Sequence, residues 1–249
     1  MPPKPKPSKP AAQPRSLPNW PPLKPLRPSS QLALHCILAD QIYTISHLFP
    51  AALCRSYVSF LSTLPLATTP GRPRRGEAVR VNDRFQVDDA GFAGRLWSES
   101  GLADVVLRHE EGGVLWGGEV LGLNANVRVY RYTEGQFFGQ HYDDSVAVQF
   151  ASPEGQCVPG RTTWTLLIYL TTCTGGETVF YPEPAPSSKK SGSKSKASKD
   201  TARVEPIVVE LEAGMALLHR HGDKCLLHEG REVTRGEKWV IRSDLVVKR

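Results

Sequence analysis

The spacing of apolar positions changes character near residue 114. Before it, two stripes recur every three to four residues: Leu53, Tyr57, Phe60, Leu61 and Leu64, then Phe92, Leu96 and Trp97. That period puts each set on one side of a helix. Ser46 as a cap, or Pro50 in the first turn, starts the first helix, and Asp88 or Asp89 caps the second, which runs to about Ser100. QLALHCILADQIYTI (31–45) and VRVNDRFQV (79–87) read as strands, and TTPGRPRRGEA (68–78) as a loop. After residue 114 come eight short β-type runs separated by Gly or polar breaks: NVRVYRYT, QHYDDSVAVQF, TTWTLLIYLTT, ETVFYP, EPIVVELEAG, MALLHRH, CLLHEG and EKWVIRSDLVV. WTLLIYL is apolar on both parities, as expected of a strand covered on both faces. The pattern predicts a mainly β domain with flanking helices, built as an antiparallel barrel or a double-sheet jelly roll.

Composition sets the boundaries. Residues 1–30 hold 11 of the 21 prolines and six Lys/Arg but no acid, so they are expected to form a disordered, solvated tail. Residues 184–203 are rich in Ser and Lys and lie between strand patterns, so they read as a disordered hairpin insertion. The domain then spans 31–249, with helical support over about 46–113 and the β core over about 114–249. The two low-complexity segments account for more than the whole net charge of +6, leaving a net-negative body. That charge distribution argues against a nucleic-acid-binding domain. Five cysteines without a CxxC spacing argue against a disulfide framework and a thiolate zinc site. No apolar run approaches the roughly 20 residues that span a bilayer, and the first residues lack the apolar stretch of a secretory signal. A cytoplasmic or nuclear location, with no membrane partner, is the expectation.

Candidate chemistry centres on VRVYRYTEGQFFGQHYDDS (127–145), read as a strand, a Gly-containing connection and a second strand opening on His141. In extended backbone His141 and Asp143 share one face and Tyr142 points away. An imidazole beside a carboxylate supplies two ligands of a 2-His-1-carboxylate iron site. His219, His221 and His228 are the candidates for the third. The residues after His228 favour it: Lys238 lies ten residues on and Arg242 fourteen, on one strand parity. A buried cation beside an iron site suits the far carboxylate of a dicarboxylate cosubstrate. His219 and His221 read instead as strand-end or surface histidines, and Thr178 as a β-branched strand residue.

On these residues the chain resembles the prolyl 4-hydroxylase-like group of Fe(II)/2-oxoglutarate-dependent dioxygenases. The resemblance rests on Tyr132 with Gly135 and Gln136, His141-Tyr142-Asp143, Gly175-Gly176-Glu177-Thr178-Val179-Phe180, Gly214, and His228 with Lys238-Trp239. It implies a double-stranded β-helix (jelly roll) core, with His141, Asp143 and His228 as Fe(2+) ligands and as the catalytic centre. It also implies Lys238 on the 5-carboxylate of 2-oxoglutarate, with Tyr132 helping to hold that cosubstrate. Arg242 stands as a second candidate anchor. The implied reaction consumes dioxygen and 2-oxoglutarate, with L-ascorbate as helper, and releases succinate and CO2 while hydroxylating a C–H bond. A prolyl residue of a protein or peptide is the first choice of substrate. A small-molecule oxygenase and a non-catalytic cupin-like binding module are the alternatives.

Overall fold

The computed structural model describes residues 17–69, 78–109, 114–151, 156–182 and 204–249. A hairpin of β1 (His35–Leu38) and β2 (Ile42–Ile45) leads into α1 (Ala51–Leu61), with Pro50 at the N-cap position. Leu53, Cys54, Tyr57 and Leu61 form its buried face, while Phe60 and Leu64 pack at the margin. Short strands β3 (Ala67–Thr68) and β4 (Arg80–Val81) precede β5 (Asp83–Asp88). Asp89 then caps α2 (Ala90–Glu99) by accepting from the Phe92 amide at 2.8 Å. A further helix, α3 (Leu102–Arg108), buries Leu102, Val105 and Val106.

The remaining chain is all strand: β6 (Val120–Leu123), β7 (Asn126–Tyr132), β8 (Phe137–His141), β9 (Ala147–Ala151), β10 (Cys157–Tyr169), β11 (Thr174–Gly175), β12 (Thr178–Tyr181), β13 (Ile207–Val209), β14 (Ala216–Arg220), β15 (Leu227–Gly230), β16 (Val233–Arg235) and β17 (Lys238–Lys248). They form two main antiparallel sheets. The larger runs β1-β2-β14-β10-β17-β7-β5-β3, with β6 and β9 added beside β17 and β10, and the smaller runs β13-β12-β15-β8-β4. Chain neighbours are therefore split between sheets, as in a jelly roll, and one apolar cluster takes Tyr130, Tyr169 and Val240 from one sheet and Phe180 and Val209 from the other. WTLLIYL lies mid-sheet in β10. Its Trp164, Leu166 and Ile168 face the helical layer while Tyr169 faces between the sheets. Gly214 stands where the chain passes Phe49: its φ is +89° and a Cβ there would lie 1.9 Å from the Phe49 carbonyl oxygen.

The N-terminal boundary needs correction. Residues 1–16 of the expected tail lie outside the described residues, but Trp20 and Leu23 are buried. Trp20 stacks on Phe92 at 3.9 Å and donates from Nε1 to Asp89 at 2.8 Å, and the Tyr57 hydroxyl donates to the Pro21 carbonyl at 2.9 Å. A proline-rich strap loses little backbone entropy on ordering, so one buried indole suffices to hold it. The Lys/Ser insertion also lies outside the described residues. β12 and β13, on either side of it, pair antiparallel.

Candidate metal and cosubstrate site

β8 and β15 are neighbours, and their register sets His141 directly opposite His228. His141 closes its strand rather than opening one. The chain then runs irregularly through Tyr142 and Asp143, anchored by the Gly222 amide on the Asp143 carbonyl at 2.8 Å. Tyr142 points to solvent and Asp143 inward.

The two imidazoles are oriented alike. His141 Nδ1 lies 2.9 Å from the Gly139 carbonyl oxygen, and His228 Nδ1 lies 2.9 Å from that of Leu226. Carbonyls only accept, so Nδ1 carries the proton in both rings and each Nε2 offers a lone pair. Those Nε2 atoms face Asp143 at 3.8 and 3.7 Å. The ligand atoms of His141, Asp143 and His228 all lie within 4.8 Å of one another. Burial, helped by the charge of His228, pulls His141 down to about 4, and burial lowers His228 as well. Both rings are thus neutral at physiological pH, the form a metal requires. The donor set fits Fe(II). A second cluster, His219, Cys225 and His228, fits less well. Burial raises the Cys225 thiol to about 11, and its sulfur already accepts the Asp143 amide at 3.3 Å.

The Asp143 carboxylate is held by two side chains, Arg242 and Thr165. Arg242 forks onto it, Nη1 to Oδ1 at 3.1 Å and Nη2 to Oδ2 at 3.0 Å. Burial opposes the carboxylate charge, yet Arg242 foremost keeps this carboxyl well below the usual range. The Thr165 hydroxyl donates to Oδ2 at 2.9 Å. With that proton spent, Thr165 accepts from His221 Nδ1 at 3.0 Å, and His221 Nε2 accepts from Thr162 at 3.0 Å. His221 is therefore a buried, fully partnered support of Asp143 through Thr165, not a surface residue.

His219 is also buried, against expectation. Its register partner is Thr165, its Nε2 lies 3.7 Å from Asp143, and its ring centroid lies 4.6 Å from that of His228. Neither ring nitrogen has a hydrogen-bond partner among the described residues. Its parity with Leu217 on MALLHRH signals the inward face, but nothing local tells that this face lines a polar site.

Lys238 sits at the other end of the same space. It is directly opposite Tyr132, and its Nζ lies 5.4 and 5.5 Å from the Tyr132 and Tyr169 ring centres. Its one hydrogen bond among those described goes to the Gly176 carbonyl at 2.7 Å, and none of the described carboxylates is within ion-pair distance. Burial brings this ammonium down to about 8. Gly175 and Gly176 both take positive φ to bring that carbonyl in, and a Cβ on Gly175 would lie 2.3 Å from the Glu232 carbonyl oxygen. Thr178 is more than a strand filler: its hydroxyl bonds the Tyr169 hydroxyl at 2.8 Å and lines the pocket. Arg242, four residues from Lys238 along β17, is about 13 Å away at extended spacing. It is committed to Asp143 and Asp244, so it does not share the Lys238 position as an alternative anchor.

Residues 127–243, which contain all six of these predicted site residues, match the family model of the 2OG-Fe(II) oxygenase superfamily. This segment is a 2OG-Fe(II) oxygenase domain. Fe(II) and 2-oxoglutarate are accordingly its metal and cosubstrate, which the donor set and the buried ammonium fit. No curated protein sequence is similar enough to the chain to count as a match. Among solved structures, the oxygenase domain and its support resemble a prolyl-4-hydroxylase from Pseudomonas putida (15% identity, 84% of this chain and 94% of that one, TM-score 0.53). They also resemble the viral collagen prolyl hydroxylase of Paramecium bursaria Chlorella virus-1 in its 2-oxoglutarate complex (16%, 83% and 96%, 0.51). A third is a Trichoplax adhaerens prolyl hydroxylase bound to a hypoxia-inducible-factor peptide fragment (14%, 83% and 83%, 0.51). At these identities the likeness establishes the jelly-roll fold of the oxygenase. Among the described residues no helix is long and apolar enough to cross a membrane.

Proposed function

We propose that this protein is an Fe(II)- and 2-oxoglutarate-dependent hydroxylase acting on a prolyl residue of a protein or peptide, forming succinate and CO2. The observation that carries the reading is Lys238, a buried cation without an anionic partner among the described residues, in the pocket that also holds His141, Asp143 and His228. A dicarboxylate bound there supplies the missing anion at one end and reaches the metal with the other. With iron and cosubstrate bound, the site supplies oxidative decarboxylation coupled to C–H hydroxylation.

Each chain residue has a role in this reading. His141, Asp143 and His228 would hold the metal, which would supply the redox chemistry once 2-oxoglutarate and dioxygen are bound. Lys238 anchors the 5-carboxylate, and Tyr132 walls its ammonium off from water. Arg242 and Thr165 fix the rotamer of Asp143 and keep it charged. A groove of about 980 Å³ opens over His141 and Asp143, at the upper end of the range of small-ligand pockets and with room for a peptide segment. The prolyl assignment draws on the prolyl hydroxylases among the structural neighbours, one of them peptide-bound. L-ascorbate enters the proposal as the reductant that keeps the iron ferrous. All five cysteines are unpaired, in keeping with a reducing compartment, cytosol or nucleus.

The test is succinate formation from 2-oxoglutarate with Fe(II), with mass spectrometry of proline-containing peptides for gain of one oxygen atom. His141→Ala should abolish both. Equal turnover by wild type and His141→Ala would refute the site.

A further inference from the structure

Two of the arginines that wall the groove over the metal site, Arg80 and Arg84, have no acid partner among the described residues. Pairing of β5 with β7 sets Arg84 opposite Tyr130 and Gln86 opposite Arg128, all on the face toward the site. Arg80, on β4, extends over the Phe138 ring, with 4.9 Å from its guanidinium carbon to the ring centre. Arg84 bonds only the neutral Gln86 amide oxygen among the described residues. Neither Arg80 nor Arg84 comes within ion-pair distance of a described carboxylate. Arg128 donates to Asn126 at 2.7 Å and lies 3.6 Å from Asp244. Arg131 and Arg242, by contrast, are each matched to acids: Arg131 to Glu237 and Asp83, Arg242 to Asp143 and Asp244. Burial, together with the like charges of Arg80 and Arg128, pulls Arg84 below the usual arginine range. Half-buried guanidiniums crowded together at a site mouth are relieved by an anion that enters with the substrate.

We propose that this groove selects a peptide carrying acidic residues beside the residue to be oxidised, with Arg80 and Arg84 receiving their carboxylates. The proposal rests on the hydroxylase reading above and adds its substrate class. A guanidinium fork matches a carboxylate in two parallel hydrogen bonds. The groove is not uniformly basic, since Asp144 and Asp244 also line it. An evenly charged polyphosphate backbone would meet those acids, and the folded body as a whole is net negative. A peptide can place carboxylates at the arginines and leave its other positions neutral, which favours it over a nucleic acid.

The test uses the full chain loaded with Mn(II) and 2-oxoglutarate, without turnover, and a fluorescent proline-centred peptide flanked by glutamates. Its control is the same peptide with glutamines. Anisotropy at low salt should show roughly tenfold tighter binding of the acidic peptide, falling as salt rises. Arg80→Gln/Arg84→Gln should erase the preference, and Arg84→Glu should shift it toward a lysine-flanked peptide. Equal binding of the glutamate and glutamine peptides by the wild type would overturn the proposal without relying on any variant. So would a single-stranded oligonucleotide that displaces the acidic peptide and itself depends on Arg80 and Arg84. Calorimetric 2-oxoglutarate binding by the wild type is measured in parallel. Its absence overturns the hydroxylase reading, whereas its presence with no charge preference overturns only the acidic-peptide proposal.

Discussion

Replacing Lys238 with methionine should move two measurements in opposite directions. Methionine keeps the length of the side chain and removes the charge. In the ligand-free fold the ammonium is buried without an acid among the described residues, and burial lowers it from 10.5 to about 8. At about 1.4 kcal/mol per unit that shift corresponds to about 3 kcal/mol of destabilisation near neutral pH. Against it stand the Gly176 bond, about 1 kcal/mol, and the two aromatic contacts, together about 1 kcal/mol. Lys238→Met should therefore stabilise the ligand-free protein by about 1 kcal/mol, a rise of about 2–4 °C in Tm for a chain of this size. Cosubstrate binding should suffer in turn. Losing one partner of a buried charge pair costs about 2–4 kcal/mol, about 30- to 1,000-fold in Kd. Differential scanning fluorimetry with Mn(II), with and without 2-oxoglutarate, reads both effects. A variant that melts lower and is still stabilised by 2-oxoglutarate as the wild type is would show that Lys238 is a structural cation and not the anchor.

Four further outcomes follow from the structure. Because the folded Lys238 holds its proton less tightly than the unfolded one, its contribution to stability improves from pH 8 to pH 10.5. Binding of 2-oxoglutarate selects the ammonium form, so affinity should fall above pH 8 with proton uptake, seen as buffer-dependent calorimetric heats. His219→Phe removes two buried nitrogens without partners among the described residues and adds apolar contact with Phe180, so the metal-free protein should gain about 1–2 kcal/mol in urea unfolding. A loss of stability there would mean that His219 has a partner the geometry does not show. Gly214→Ala forces a Cβ against the Phe49 carbonyl at a positive φ and should cost more than about 3 kcal/mol, enough to abolish soluble expression. A soluble variant with unchanged Tm would refute that close approach.

The residues that were legible in the sequence share a property: their signal is local and periodic. Asp89 could be read as a cap because a helical stripe starts just after it, and His228 could be grouped with His141 and Asp143 because Lys238 comes next on a strand of readable parity. α3 carried a readable stripe too, in Leu102, Val105 and Val106, but lies beyond the point where the preceding helix was expected to end. What stayed hidden depends on contacts across the chain. Trp20 is a burial anchor only because Asp89 and Phe92 come to meet it. Strand parity put Arg242 on the inner face with Lys238, but which acid meets each cation is decided by sheet order, which brings Asp143 to one and none of the described acids to the other. His219 and His221 were hidden for the same reason, since the partners that distinguish them sit on β10.

β17 is the last of the described strands to be synthesised, yet it lies between β10 and β7 in the middle of the larger sheet. Until it leaves the ribosome those two strands each present an unpaired apolar edge, and neither Lys238 nor Arg242 exists to meet its partners. Folding of the nascent domain is thus held back until this strand has been made. A stop codon in place of Lys238 would leave a chain that keeps His141, Asp143 and His228 but whose larger sheet lacks the strand joining β10 to β7.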